Sequence, residues 1–116
     1  MTYSKYYVVK PPQPKCPPTP HHVMMKIGIQ GQNIENSVYA RRRYGPGSEL
    51  LAGYTFNMPL RDLEKKIEKP ILEILKCRGR ICEIVRGQKE HFWVRTSDIQ
   101  RFVDLVKALV EEHTAA

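Results

Sequence analysis

The segment "KPPQPKCPPTP", residues 10–20, holds six prolines in eleven positions, and no other stretch restricts the fold so strongly. Each proline fixes its φ and removes a backbone donor, so the segment can be neither helix interior nor central strand and runs extended. Ahead of it, "YSKYYVV" is aromatic and β-prone and is expected to pair with a sheet edge of this chain or of a neighbour. Residues 1–22 together read as a Pro-rich N-terminal arm, and residues 23–116 as one domain, because 116 residues close a single core with little left for a second.

Beyond the arm the pattern has strand periodicity first. "HVMMKIGIQ" sets Met25, Ile27 and Ile29 on one side and Met24, Lys26 and Gly28 on the other. "SVYARRRY" reads as a second strand, with Tyr39, Arg41 and Arg43 on one face and Val38, Ala40, Arg42 and Tyr44 on the other. "GPGS" then turns it into a third, "ELLAGYTF". A helix follows over "NMPLRDLEKKIEKPILEIL", with Asn57 placed to cap and Leu60, Leu63, Ile67, Ile71 and Ile74 at helical spacing. Pro70 should kink or split it. "GRICEIV" and "HFWVR" form a second hairpin, and "TSDIQRFVDLVKALVEEH" is a closing amphipathic helix with Ser97 and Gln100 as a capping box. The order β-β-β-α-β-β-α predicts an α+β fold, a curved antiparallel sheet of about five strands with two helices on one face.

Charge bears on function. The chain has 19 Lys or Arg against 12 Asp or Glu, a net +7, which favours polyanionic partners. Up to Pro59, seven basic residues face only Glu35 and Glu49, whereas the remainder is nearly balanced. No apolar run is long enough to span a bilayer and no secretory leader is visible, so an intracellular protein without membrane contact is expected. Three cysteines, Cys16, Cys77 and Cys82, suit reduced thiols better than a disulfide scaffold. With His21 and His22 they lack zinc-ligand spacing, and no metal or other cofactor is predicted.

Catalytic signatures are missing: there is no phosphate loop, no nucleophile elbow and no triad-like grouping of His21, His22, His91 or His113. An enzyme with a small-molecule substrate is therefore not expected. Asp62, Glu64 and Glu68 lie among lysines and read as helix-face ion-pair partners, Glu64 with Lys69 and Asp62 with Lys66. Aromatic residues interleaved with basic ones are the stronger signal, because a single strand of nucleic acid offers phosphates and flat bases together. Tyr39, Arg41 and Arg43 on one predicted strand, His91, Trp93 and Arg95 on another, and Lys26 beside them form the candidate binding surface. Arg78, Arg80, Arg86, Lys76 and Lys89 make a second basic group diluted by Glu83 and Glu90.

The ending "HFWVRTSDIQRFVDLVKALVEE" resembles that of small single-stranded-DNA-binding proteins in which sheet strands precede one amphipathic helix: the Whirly, Pur-type and positive-cofactor-four-type coactivator families, and the archaeal ThermoDBP-type proteins. The resemblance covers roughly the last quarter of the chain and implies binding by the sheet, with the helix supporting the sheet or a homodimer. The expected function is low-specificity binding of single-stranded nucleic acid, DNA before RNA, with arginines on phosphates and bases stacked on Tyr39 and Trp93. The alternative is an adaptor whose Pro-rich arm docks on a partner protein.

Overall fold

A computed structural model of the chain describes residues 3–15, 17–77 and 81–114. Cys16, Arg78 and Arg80 lie outside the described residues. Five strands, β1 (Ser4–Lys10), β2 (His22–Gln30), β3 (Glu49–Phe56), β4 (Cys82–Ile84) and β5 (His91–Arg95), make one antiparallel sheet in the order β3-β1-β2-β5-β4. The fold is α+β as expected, but the element order is β-β-α-β-α-β-β-α. Two of the expectations on which the other order rested are overturned.

The first concerns the arm. β1 is an interior strand, pairing with β2 (Tyr7 opposite Gly28) and with β3 (Tyr6 opposite Tyr54). Tyr6, Tyr7, Val8 and Val9 are all buried, because a strand flanked on both edges and covered on both faces has no solvent side on which to spend polar residues. The Pro-rich segment is thus a loop between β1 and β2. Where β1 ends, β2 loses its ladder partner, and the Gln13 side chain replaces it: its Oε1 accepts from Met24 N–H (2.7 Å) and its Nε2 donates to Met24 C=O (3.0 Å). One amide thus supplies a donor and an acceptor that neighbouring prolines cannot both offer.

The second concerns "SVYARRRY", which lies within helix α1 (Asn36–Tyr44) rather than a strand. Ala40 and the arginines are strong helix formers, and the run is too short for its apolar alternation to separate a period of 2 from one of 3.6. Asn36 anchors the first turn, accepting from Gln30 Nε2 at 2.9 Å and donating to Tyr6 C=O at 3.3 Å. Gly45 ends the helix at φ 94°, its N–H bonded to Arg41 C=O. Only glycine reaches that backbone region without steric cost.

On one face of the sheet lie α2 (Leu60–Leu63), a π turn (Glu64–Glu68), α3 (Lys69–Lys76) and α4 (Ile99–Thr114). The first three run on without a break, so Pro70 neither splits nor ends the helix. A proline in a helix crowds the carbonyl four residues back, and a wider turn relieves that contact; here Lys69 N–H bonds Glu64 C=O, five residues back, as in a π turn. Leu63, Ile67, Ile71 and Leu75 from this rod, with Phe102, Val106 and Val110 of α4, pack on Tyr6, Val8, Met25, Ile27, Phe92 and Val94. The apolar stripe of α4 is consumed by this core. The Gln100 amide Nε2 donates to Asp104 at 2.9 Å, one turn along α4.

α1 lies on the opposite face, over β1 and β3, where Tyr39, Ala40 and Tyr44 meet Tyr7, Val9 and Leu50. The Tyr7 ring crosses Gly28 on the neighbouring strand so closely that a Cβ there would fall 2.3 Å from the phenol oxygen. Gly28→Val should therefore displace Tyr7 and cost about 2 kcal/mol, read as a lowered midpoint in urea denaturation. Gln13→Ala should cost about 1 kcal/mol by unpairing Met24, and an unchanged midpoint would show that the amide is not a ladder surrogate.

Candidate nucleic-acid interface

The face that carries α1 is covered only over β1 and β3. Across β2, β5 and β4 no described helix packs on it, and the register fixes what it presents: Met24 beside Trp93, Lys26 beside His91, His22 beside Arg95, and Glu83 across from Trp93. Phe92 and Val94 point into the core, so alternation turns His91, Trp93 and Arg95 outward. Trp93 and His91 are half-buried and Arg95 is exposed. Lys26, His91, Trp93 and Arg95 therefore share one open surface, as the sequence led us to expect.

Tyr39, Arg41 and Arg43 reach the same side of the sheet by a different route. They belong to α1, which stands as a wall beside the open strands. The expected split of the arginines by strand alternation does not occur, because successive helical residues step about 100°. Arg41, Arg42 and Arg43 are all exposed in the last turn, where the helix dipole favours positive charge. Tyr39 is half-buried, with its ring centroid 5.7 Å from that of Tyr7. The helix is held by the Tyr7 and Tyr44 hydroxyls, 2.6 Å apart; burial raises the pKa of both phenols, so both stay protonated at neutral pH.

Two of the expected contact residues are altered by their neighbours. Lys26 forms an ion pair with Glu90 and its side chain is 13 % exposed, so its charge is partly neutralised. His91 is held below the ordinary histidine range by burial and by the adjacent Lys26 ammonium, and its Nδ1 is buried without a partner. The imidazole is therefore neutral at pH 7 and offers a ring face rather than a charge. Met24 belongs to the surface and was not among the expected residues, although alternation in "HVMMKIGIQ" places it beside Lys26.

A separate feature lies on the helical side. A cleft of about 720 Å³ opens between the π turn with α3 and the loop joining β4 to β5. Glu64 pairs with Lys69 at 3.4 Å, as expected though with the spacing of a π rather than an α turn, and Glu73 pairs with Lys76 at 3.2 Å. Glu68, expected on the solvated helix face, is instead only 4 % exposed, and its Oε2 has no hydrogen-bond partner. Desolvation first, then the Glu90 and Glu64 carboxylates, push its pKa up to about 7 against the weaker opposing pull of Lys26 and Lys69. Of the cysteines, Cys77 is exposed at the end of α3, while Cys82 is buried with its Sγ 3.5 Å from the Leu75 carbonyl. Among the described residues no three His, Cys, Asp or Glu side chains are grouped to hold a metal, and no helix is long and apolar enough to cross a membrane.

Compared with protein-family models, with curated proteins and with solved structures, the chain matches none.

The Glu68 carboxyl has a measurable signature. Because its pKa is higher folded than unfolded, the native state binds its proton more tightly, so this group's contribution to stability falls as pH rises from about 4.5 to 7. Glu68→Gln should remove that slope and leave the variant about 2 kcal/mol more stable relative to wild type at pH 8 than at pH 4. Parallel urea titrations across that range check it; identical pH profiles would place the carboxyl in contact with water.

Proposed function

We propose that the protein binds single-stranded nucleic acid with low sequence specificity on the open face of the sheet. The observation that supports this most directly is the half-buried Trp93 on a strand that no helix covers, with Met24 beside it and Arg95 two residues on. A flat ring in that setting stacks on any base, which gives affinity without sequence readout. Arg41, Arg42 and Arg43 along the neighbouring helix supply phosphate contacts, their planar guanidiniums matching phosphate oxygens two at a time. Lys26 and His91 serve as the floor of the surface rather than as phosphate ligands. The groove is open and single-sided, which suits a flexible strand. Among the described residues the helices are packed on the sheet, α1 through Tyr39, Ala40 and Tyr44 and α4 through its apolar stripe, which does not favour entry into the major groove of a duplex.

A second reading, a docking segment for a partner protein, draws on one observation. Pro12, Pro14, Lys15 and Pro18 are exposed on a loop tied to β2 by the Gln13 side chain, and Pro-rich segments are of the kind that aromatic grooves recognise. Because β1 is central to the sheet, the loop is tested by substituting these side chains rather than by deleting residues 1–20.

Trp93 is the only tryptophan, so its fluorescence reports on the site directly. Titration with oligo-dT should quench it, and an equal length of duplex should bind more weakly. With four arginines engaged, the slope of log K against log salt should be about −3. Replacing Arg41, Arg42 and Arg43 together by alanine should bring that slope near −1 and weaken binding at least tenfold, with a stability loss below about 2 kcal/mol. Absence of binding at low salt would refute the proposal.

A further inference from the structure

Glu68 is a buried carboxyl at a cleft, and the function proposed above leaves it unused. The other carboxylates there are matched: Glu64 by Lys69, Glu73 by Lys76, and Glu90 by Lys26. Glu68 keeps an unpartnered oxygen at 4 % exposure, beside Leu72, which is 7 % exposed. An acceptor buried without a donor costs free energy in the empty protein, and the cost is recovered if a ligand brings the donors. Across the cleft, Lys89 has no ion-pair partner among the described residues.

With those three pairs set aside, the cleft keeps one carboxyl, Glu68, and one cation, Lys89, so a ligand that spans both carries an anionic group at its Lys89 end. The group that meets Glu68 must nevertheless be a hydrogen-bond donor, and it must be uncharged to sit on the apolar floor made by Leu72. A nucleotide combines these properties. Among the four bases, only guanine sets two N–H donors side by side on one edge, the ring N1–H and the 2-amino group, at the spacing of a carboxylate's two oxygens. The terminal torsion of a glutamate is soft, so both oxygens of Glu68 can turn toward such an edge. At 720 Å³ the cleft has the size of an ordinary small-ligand site.

Position links this cleft to the proposed interface. A smaller hollow lined by Lys26 and His91 on the open face shares Lys89 and Glu90 with it. A strand stacked on Trp93 can thus pass His91 and the loop carrying Lys89 and then place one base beneath the π turn. We infer that this cleft is a guanine-specific subsite of the interface, in which Glu68 accepts the Watson–Crick edge, Leu72 packs against the base and Lys89 contacts the adjoining phosphate. This rests on the single-strand reading and adds one specified base to it.

The test uses the full chain and oligo-dT of roughly a dozen nucleotides carrying one central guanine, hypoxanthine, adenine or cytosine. Guanine should tighten binding about tenfold over adenine or cytosine, and hypoxanthine, which lacks the 2-amino group, should lose most of that gain. Glu68→Gln should bind unsubstituted oligo-dT as wild type does and show no guanine preference. Equal affinity for all four oligonucleotides, or a preference that survives Glu68→Gln, overturns the subsite while leaving the interface standing. If oligo-dT does not bind, the interface reading fails, and guanosine monophosphate against adenosine monophosphate decides the subsite alone through the Leu72 methyl signals. A shift with the guanosine nucleotide only upholds it; no shift, or the same shift with both, overturns it.

Discussion

Four consecutive buried residues of β1 serve two separate packing clusters, and the rest of the molecule is arranged around that division. Tyr6 and Val8 enter the main core beneath α2, α3 and α4, while Tyr7 and Val9 enter the small cluster under α1. A strand can do this only in the middle of a sheet, where both ladders satisfy its backbone. Tyr7 carries the second task. Its ring is large enough to reach across Gly28 to the next strand, and its hydroxyl meets that of Tyr44 at 2.6 Å. The position of α1, and with it of Arg41, Arg42 and Arg43, is therefore set by a tyrosine about 35 residues earlier in the chain and by the absence of a side chain at Gly28.

The helical side is organised by an accommodation of a different kind. Pro70 sits inside a helix whose apolar residues Leu63, Ile67, Ile71 and Leu75 must all reach the same sheet. A break would have turned the second half away from the core. Widening one turn instead keeps the rod continuous, brings Glu64 and Lys69 together, and carries Glu68 from the solvated side to the cleft wall. The buried carboxyl is thus the local cost of keeping four apolar contacts.

Much of this was legible in the sequence, and the failures have specific causes. Strands β2, β3 and β5 and helix α4 followed from apolar periodicity, as did the outward set Lys26, His91, Trp93 and Arg95. The role of β1 was hidden because "YSKYYVV" precedes a proline run, and prolines signal an end of pairing without saying what the strand before them has paired with. Helix α1 was hidden because "SVYA" alternates like a strand, while the anchors that decide for helix, Asn36 to Gln30 and Tyr6, come from elsewhere in the chain. Pro70 announced an irregularity but not its form: a kink, a break and a π turn all satisfy the local sterics, and only the need to bury both halves selects among them. The burial of Glu68 follows from that selection and could not be read from "EKKIEKP" alone.

The same layout distributes charge. On the helical side exposed Asp104, Glu111 and Glu112 of α4 are set against exposed Arg101 and Lys107, and the rod's paired carboxylates against Arg61, Lys65 and Lys66, whereas α1 exposes three arginines together in its last turn. The +7 of the chain is therefore not spread evenly around it. In the single-strand binding proposed above, a polyanion would be drawn to the α1 side by a field that the carboxylates of α4 do not cancel within a Debye length of about 10 Å. It would arrive beside the open strands, where Trp93 gives a base something to stack on. Had "SVYARRRY" formed the strand its alternation suggests, Arg42 would have pointed away from Arg41 and Arg43 toward the apolar side, and the charge would have been divided between the two faces of the sheet. As a helix, the run keeps all three arginines exposed on the side of the sheet that carries Trp93.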